Sequence, residues 1–306
     1  MKRYLDCRAS DLEKITKEEL LKSFQLSEGR ILVSETIGTT EPLLGNVSNA
    51  EFAASQGADV ILLNIFDVDT PIIKGIPNCE LADVVRMVKK LTGRVVGINL
   101  EPVDEYFDVL SSDNFHMSSG RYATVENAIK AADMGVNIIV LTGNPGNGVT
   151  NQAITASISQ VKAAVGERVI VVAGKMHAAG ILAESAESIV SKEDVVAFAK
   201  AGADIILLPA PGTVPGISEG YIRELVGVAH KEGKMTMTAI GTSQEGADEQ
   251  TIRSIALMAK MTGTDLHHIG DSGYVGMAMP ENISAYSVTI KGKRHTYTRM
   301  AASLRR

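Results

Sequence analysis

The chain has 306 residues, 45% of them hydrophobic and 22% charged, with a formal net charge of −6 and two cysteines. That composition supports a sizeable folded core without disulfide staples, and the negative charge argues against a nucleic-acid or anionic-membrane partner, which needs a basic footprint. No apolar run reaches the roughly 20 residues that span a bilayer and the first residues lack the apolar core of a signal peptide, so the expected location is cytoplasmic.

Residues 1–28 contain Ser10-Asp-Leu-Glu13 and Thr16-Lys-Glu-Glu19, two capping-box patterns that run into Leu20, Leu21 and Phe24. They predict an N-terminal helical extension closing one end of a domain over 29–285. In that domain one kind of apolar strand opens on a basic residue, as in Gly29-Arg30-Ile-Leu-Val-Ser-Glu35, Gly93-Arg94-Val-Val-Gly-Ile-Asn-Leu-Glu101, Arg168-Val-Ile-Val-Val-Ala-Gly-Lys175 and Gly233-Lys234-Met-Thr-Met-Thr-Ala-Ile-Gly241. A second kind falls between these, beginning at Asp59, Asn137, Asp204 and Asp265. Gly57-Ala-Asp-Val-Ile-Leu-Leu and Gly202-Ala-Asp-Ile-Ile-Leu-Leu are near copies four units apart, which suggests a duplicated half-barrel. Short apolar strands alternating with helical patterns predict a parallel sheet, and their number predicts a closed (β/α)8 TIM barrel, with an open doubly wound sheet as the alternative.

Aligned on the basic residue, Glu35 matches Asn99 and Ala173, while Glu101 matches Lys175. Strand alternation then puts Glu35, Asn99, Glu101 and Lys175 on one face near the strand ends. Burial of a lysine favours the free amine that attacks a carbonyl, so Lys175 is the expected Schiff-base nucleophile. Glu35 or Glu101 would shuttle protons, Asn99 would hold a substrate oxygen, and His177, beyond the strand end, is a further acid–base candidate. The structural alternative is a Lys175–Glu101 ion pair. Of His267 and His268, alternation lets only one face the interior, which reads as a core histidine.

The loops add other candidates. Asp67 and Asp69 follow the second strand, and a long loop after Glu101 carries Asp104, Asp113, His116 and Arg121 and reads as a lid. Asp67, Glu101 and Asp104, with Glu35, are oxygen donors of the kind Mg²⁺ takes, an alternative to a cofactor-free site. Thr142-Gly-Asn-Pro-Gly-Asn-Gly148 is either an anion-binding loop or a plain turn. The seventh and eighth strands end in Gly241-Thr242-Ser243 and Gly270-Asp271-Ser272-Gly273, where barrels often bind phosphate; Asp271 is discordant, since a carboxylate repels that anion. Within the C-terminal segment 286–306, Tyr286 to Thr298 alternates polar and apolar about Lys291-Gly-Lys293 and predicts a β-hairpin, an arm suited to a homo-oligomer, with Arg299 to Arg306 as a tail adding a helical turn or two. No GxSxG, Walker, CxxC, HExxH or GxGxxG pattern is present.

The motifs Gly29-Arg-Ile-Leu-Val-Ser-Glu35, Asn99-Leu-Glu-Pro-Val-Asp104, Leu141-Thr-Gly-Asn-Pro-Gly-Asn-Gly148 and Lys293-Arg-His-Thr-Tyr297 resemble a bacterial family of TIM barrels labelled phosphoenolpyruvate phosphonomutase-like. The turn after the fourth strand also resembles, more weakly, the BtpA-like barrels. The resemblance covers nearly the whole chain and implies a TIM barrel. Phosphonomutases and isocitrate lyases carry a Mg²⁺-binding aspartate run and a lysine–cysteine–glycine–histidine loop. Asp67 and Asp69 echo the first, and Gly174-Lys-Met-His177 lacks the cysteine of the second, so no activity transfers with the fold. The expected function is a lyase or isomerase acting on a small oxo or phosphorylated acid, an anionic substrate; the alternatives are a Mg²⁺-dependent phosphonomutase-like enzyme and a non-catalytic metabolite sensor.

Overall fold

Alternate residues of a strand face opposite ways, and burial sorts those of this chain into two separate cores. The computed structural model describes residues 1–104, 117–273 and 275–306. Its strands, β1 (Ile31–Ile37), β2 (Val60–Asn64), β3 (Val95–Leu100), β4 (Ile138–Leu141), β5 (Ile170–Gly174), β6 (Ile205–Pro209), β7 (Met235–Ile240) and β8 (Leu266–Ile269), close into a parallel barrel in sequence order. The helices are α1 (Ala9–Glu13), α2 (Lys17–Gln25), α3 (Asn49–Ser55), α4 (Val84–Thr92), α5 (Val125–Asp133), α6 (Asn151–Val165), α7 (Lys192–Ala201), α8 (Glu219–Lys231), α9 (Glu249–Met261) and α10 (Pro280–Ala301). From α3 onwards one helix follows each strand, the arrangement of a TIM barrel. Val33, Leu62, Val140, Val172, Leu207 and Leu266 fill the interior, while Leu32, Ile61, Val96, Ile139, Val171 and Ile206 face the helices. No helix among the described residues is long and apolar enough to cross a membrane.

The residue just before each even strand sets the register of the strand before it. Side-chain oxygens of Asp59, Asn137, Asp204 and Asp265 accept the N–H groups of Leu32, Val96, Val171 and Thr236 at 2.9, 3.3, 2.9 and 2.8 Å. Each of the four returns its own N–H to the carbonyl of the same residue. The copied Gly-Ala-Asp segments are therefore two of four equivalent clamps.

Two of the clamps also hold the extension in place. Lys17, buried on α2, pairs with Asp204 at 2.8 Å and donates to the Gly166 carbonyl, and the Tyr4 hydroxyl donates to the Asp59 carbonyl at 2.6 Å. Tyr4, Leu5, Leu12, Leu20 and Phe24 join the interior core beneath Ile31, Val60 and Val95, so the helical extension plugs the N-terminal end of the barrel. Thr16 caps α2 with Glu19 as expected, but α1 is capped at Arg8 with Asp11, and Ser10 lies inside it.

The C-terminal β-hairpin is a correction. Residues 286–301 belong to α10, in which Gly292 (φ 74°, ψ 163°) breaks the helix between two helical arms. Lys291-Gly-Lys293 does mark a turn, but Ile283, Tyr286, Ser287 and Ile290 recur every three or four residues and form a buried helical stripe. With no hairpin, the premise for a dimerisation arm is gone.

His267 faces outward onto this helix. Its Nδ1 lies 3.2 Å from the Tyr286 hydroxyl and its Nε2 lies 3.0 Å from the Gly29 carbonyl oxygen. Burial holds the imidazole down to about 4, although the Gly29 carbonyl favours the protonated form. A depressed folded-state pKa adds stability that is fully present above the unfolded value near 6.5 and is lost as pH falls through about 4. The expected loss is on the order of 3 kcal/mol over that window. Denaturant titrations of wild type and His267→Gln between pH 7 and 4 check this: the acid loss attributable to His267 disappears in the variant, and equal slopes would refute it.

Candidate active site

Counting from the four clamps gives the strand faces directly. On odd strands the third residue after the clamped one is Glu35, Asn99, Gly174 and Ala239, and all four positions face the interior. The alignment on basic residues misplaced β5 by one, because Val169 intervenes between Arg168 and the strand. Ala173 therefore packs with the helix-facing core. Met176, not Lys175, lines the small cavity at the C-terminal mouth, together with Glu35, Asn99, Thr142 and His268. Gly174 cannot carry a side chain, since a Cβ there would stand 2.0 Å from the Leu207 carbonyl oxygen. Lys175 is 1% exposed at the end of β5. Half-buried His177 follows it, its imidazole held below the usual range by burial and by the Lys175 charge.

Polar groups at the mouth form a continuous chain. His268 Nε2 lies 3.2 Å from Glu35 Oε2. Asn99 Nδ2 donates to Glu35 Oε1 at 2.6 Å and to Asn64 Oδ1 at 3.0 Å, and Asn64 Nδ2 donates to Asp271 Oδ2 at 2.7 Å. Glu35 beside Nε2 favours the tautomer protonated there, which leaves Nδ1 as a lone-pair acceptor. His268 Nδ1, Asn99 Oδ1 and Thr142 Oγ1 are buried and have no protein partner. Three polar atoms on residues lining one cavity thus await hydrogen bonds, an arrangement that costs stability unless a water or a ligand completes it; the cavity as closed here measures about 10 Å³, room for one water. The amide hydrogens of Asn99 are committed, and its carbonyl oxygen is the free atom. It therefore suits a substrate hydroxyl, not an oxyanion.

The carboxylates divide between two sides of the mouth. Glu101, pushed up by burial against the pull of Arg121, forms a close ion pair with that guanidinium. Arg121 Nε is buried and unpartnered. On the other side, burial and the Glu35 charge raise Asp271. Burial also raises Glu245, with Asp271 and Glu35 contributing. The Glu245 carboxyl packs against Gly270, 3.4 Å from where a Cβ would stand, and its Oε2 lacks a partner.

In the two turns expected to bind phosphate, the three glycine nitrogens are engaged within the protein. Gly241 N donates to Thr213 Oγ1, Gly270 N to the Ile240 carbonyl and Gly273 N to Asp271 Oδ1. The Thr242 hydroxyl donates to Thr213 O. Thr242, Ser243 and Ser272 have positive φ, and Ser272 Oγ is buried without a partner. With these nitrogens engaged, and with Glu245 and Asp271 beside them, the surroundings disfavour a dianion. The turn after β4 likewise uses its own N–H groups, Asn147 to Asn144 O and Gly148 to Pro145 O.

The residues proposed for Mg²⁺ do not fit one ion. Asp67 Oδ1 accepts the N–H groups of Asp69 and Thr70, and Glu101 is paired with Arg121. Among the described residues no three His, Cys, Asp or Glu side chains converge as metal ligands do. Asp113 and His116, and the lid expected there, lie outside the described residues.

Sequence reasoning passed over Asn64 and Glu245, read Thr142 only as the start of a turn, and left open which of His267 and His268 faces inward. Counted from the clamps, Asn64, Thr142 and His268 stand five, five and three residues after Asp59, Asn137 and Asp265, all odd offsets that face inward.

Fold and mouth together define the chain as a TIM barrel with a polar pocket at the C-terminal ends of its strands. Residues 5–306 match the family described as "Domain of unknown function (DUF7916)", and the chain belongs to that family. A comparison with curated proteins returns no match. Among solved structures, the chain is similar to 2,3-dimethylmalate lyase, a member of the PEP mutase/isocitrate lyase superfamily, at 13% identity and TM-score 0.51 over 83% of this chain and 81% of that one. It is also similar to thiamine phosphate pyrophosphorylase from Pyrococcus furiosus, at 14% identity and TM-score 0.49 over 90% and 100% of the two chains. At such identities what is shared is the barrel.

Proposed function

We propose that this protein is a lyase or isomerase that moves a proton on a small hydroxy or oxo acid, with His268 as the base. The observation carrying this reading is the unpartnered, buried Nδ1 of His268, backed by Glu35 through Nε2, on a residue that lines the same cavity as Asn99 and Thr142 with their unpartnered oxygens. A substrate hydroxyl donating to Asn99 Oδ1 sits beside a base able to take its proton. When that proton leaves, the hydroxyl carbon becomes a carbonyl as its bond to the neighbouring carbon breaks, and the released electron pair forms an enolate that is then protonated. Arg121 Nε offers the substrate carboxylate a charged donor.

A second reading rests on Lys175, almost wholly buried at the same end of β5: its amine attacks the substrate carbonyl as a Schiff-base nucleophile. Incubating the protein with a panel of small hydroxy and oxo acids, with and without borohydride, separates the two. Acid–base chemistry gives turnover with no mass adduct. A trapped adduct on wild type that is absent from Lys175→Met transfers the role of catalyst to the lysine. No turnover of any acid, with saturable binding of one, leaves a metabolite sensor.

A further inference from the structure

A cavity larger than the one at the mouth lies at the other end of the barrel. It is a groove of about 630 Å³ at the N-terminal end of the barrel, between α1, α4 and the segment after α10, within the roughly 300–1,000 Å³ of small-molecule pockets. Its charged lining is almost all cationic: Arg86, Lys89, Lys90, Arg94 and Arg305, against Glu13. In a chain of net charge −6 such a concentration needs a physical reason.

Two of these cations are poorly compensated. The Arg94 guanidinium is buried and donates to the carbonyls of Ala58, Thr92, Gly93, Ala54 and Arg299, with no carboxylate among its acceptors. Burial and the nearby Arg299 hold it down to about 10. Lys89 donates to the Gly135 carbonyl at 3.1 Å, and burial and Arg86 hold it below the ordinary lysine range. Arg86 is the exception, paired with Asp83 at 2.9 Å. The basic residues in the last turn of α4 complement the helix dipole, but Arg94 and Arg305 lie outside that helix. An anion in the groove would relieve the mutual repulsion, and Leu12 and Leu304 supply an apolar wall.

We propose that this groove binds a small organic anion carrying at least two negative charges, a phosphate ester or a polycarboxylate, between Lys89, Lys90 and Arg305, with the fully bonded Arg94 contributing only its charge. Sited at the opposite end from the mouth, it is an effector site and not a substrate site. Calorimetric titrations at fixed ionic strength, with inorganic pyrophosphate and with citrate as probes, test it. The expected result is saturable binding of at least one probe, weakened at least tenfold in Lys90→Gln/Arg305→Gln and unchanged in Arg121→Gln at the mouth. Tighter pyrophosphate binding assigns a phosphate ester, and tighter citrate binding a polycarboxylate. Lys90 and Arg305 are exposed, so the double variant keeps the fold; independently, the bound probe should protect Lys89 and Lys90 of the wild type from acetylation. No saturable binding of either probe, equal affinity in the double variant, or loss of binding in Arg121→Gln overturns the proposal.

Discussion

Replacing His268 by glutamine lowers turnover by about 10²–10⁴-fold, the usual contribution of a positioned acid–base group, while the barrel stays folded. Glutamine keeps a hydrogen-bonding group beside Glu35 but cannot accept and release a proton at neutral pH. Glu35→Gln gives a smaller loss, because it removes the charge that favours the Nε2 tautomer and leaves the imidazole in place. Steady-state kinetics on the acid found by substrate screening checks both. The account fails if His268→Gln retains more than about a tenth of the wild-type rate.

Asp59→Asn destabilises the fold by about 3–5 kcal/mol, the range for breaking a buried ion pair from one side. Asp59 accepts from Arg299 Nε at 3.0 Å and contacts Lys291 closely, with every partner side chain buried. Burial pushes the Asp59 carboxyl up, but the two cations more than offset this and hold it below the usual range. Lys291 goes the other way, down to about 8, because burial and the neighbouring Arg299 and Arg94 outweigh its share of a single carboxylate. The two directions agree once two cations are seen to divide one anion. Asparagine still accepts the Leu32 N–H but leaves both cations unpaired. Denaturant melts of Asp59→Asn and of Asp59→Asn/Lys291→Met check the prediction: the double variant recovers part of the loss, since one unpaired charge is gone. A loss below about 1 kcal/mol would mean that the cluster relaxes without cost.

Much of the barrel was legible because its signals are local. Thr16, Ser48 and Ser191 each cap a helix with the acid three residues on, and strand alternation separated Glu35 and Asn99 from their neighbours. The face of Lys175 was not legible, because the basic residue before a strand tolerates a one-residue slip whereas the side-chain clamp does not. Arg168 sits two residues before β5, and Asp204 bonds Val171 regardless. That clamp joins residues 33 positions apart in the chain, so nothing in a single stretch discloses it. The same limit hid His268: the sequence showed that one of two adjacent histidines faces inward, and only the Asp265–Thr236 clamp says which. For α10, a polar helix with a glycine break imitates a hairpin as long as the buried stripe through Tyr286 and Ile290 is unseen.

Proton transfer by His268 at the mouth is read by hydrogen–deuterium exchange at the carbon beside the carbonyl of small oxo acids, followed by NMR in D₂O. The account predicts that wild type exchanges that hydrogen on at least one acid well above the uncatalysed rate and that His268→Gln does not. Exchange at the same rate in both proteins, or none with wild type on an acid it demonstrably binds, would contradict it.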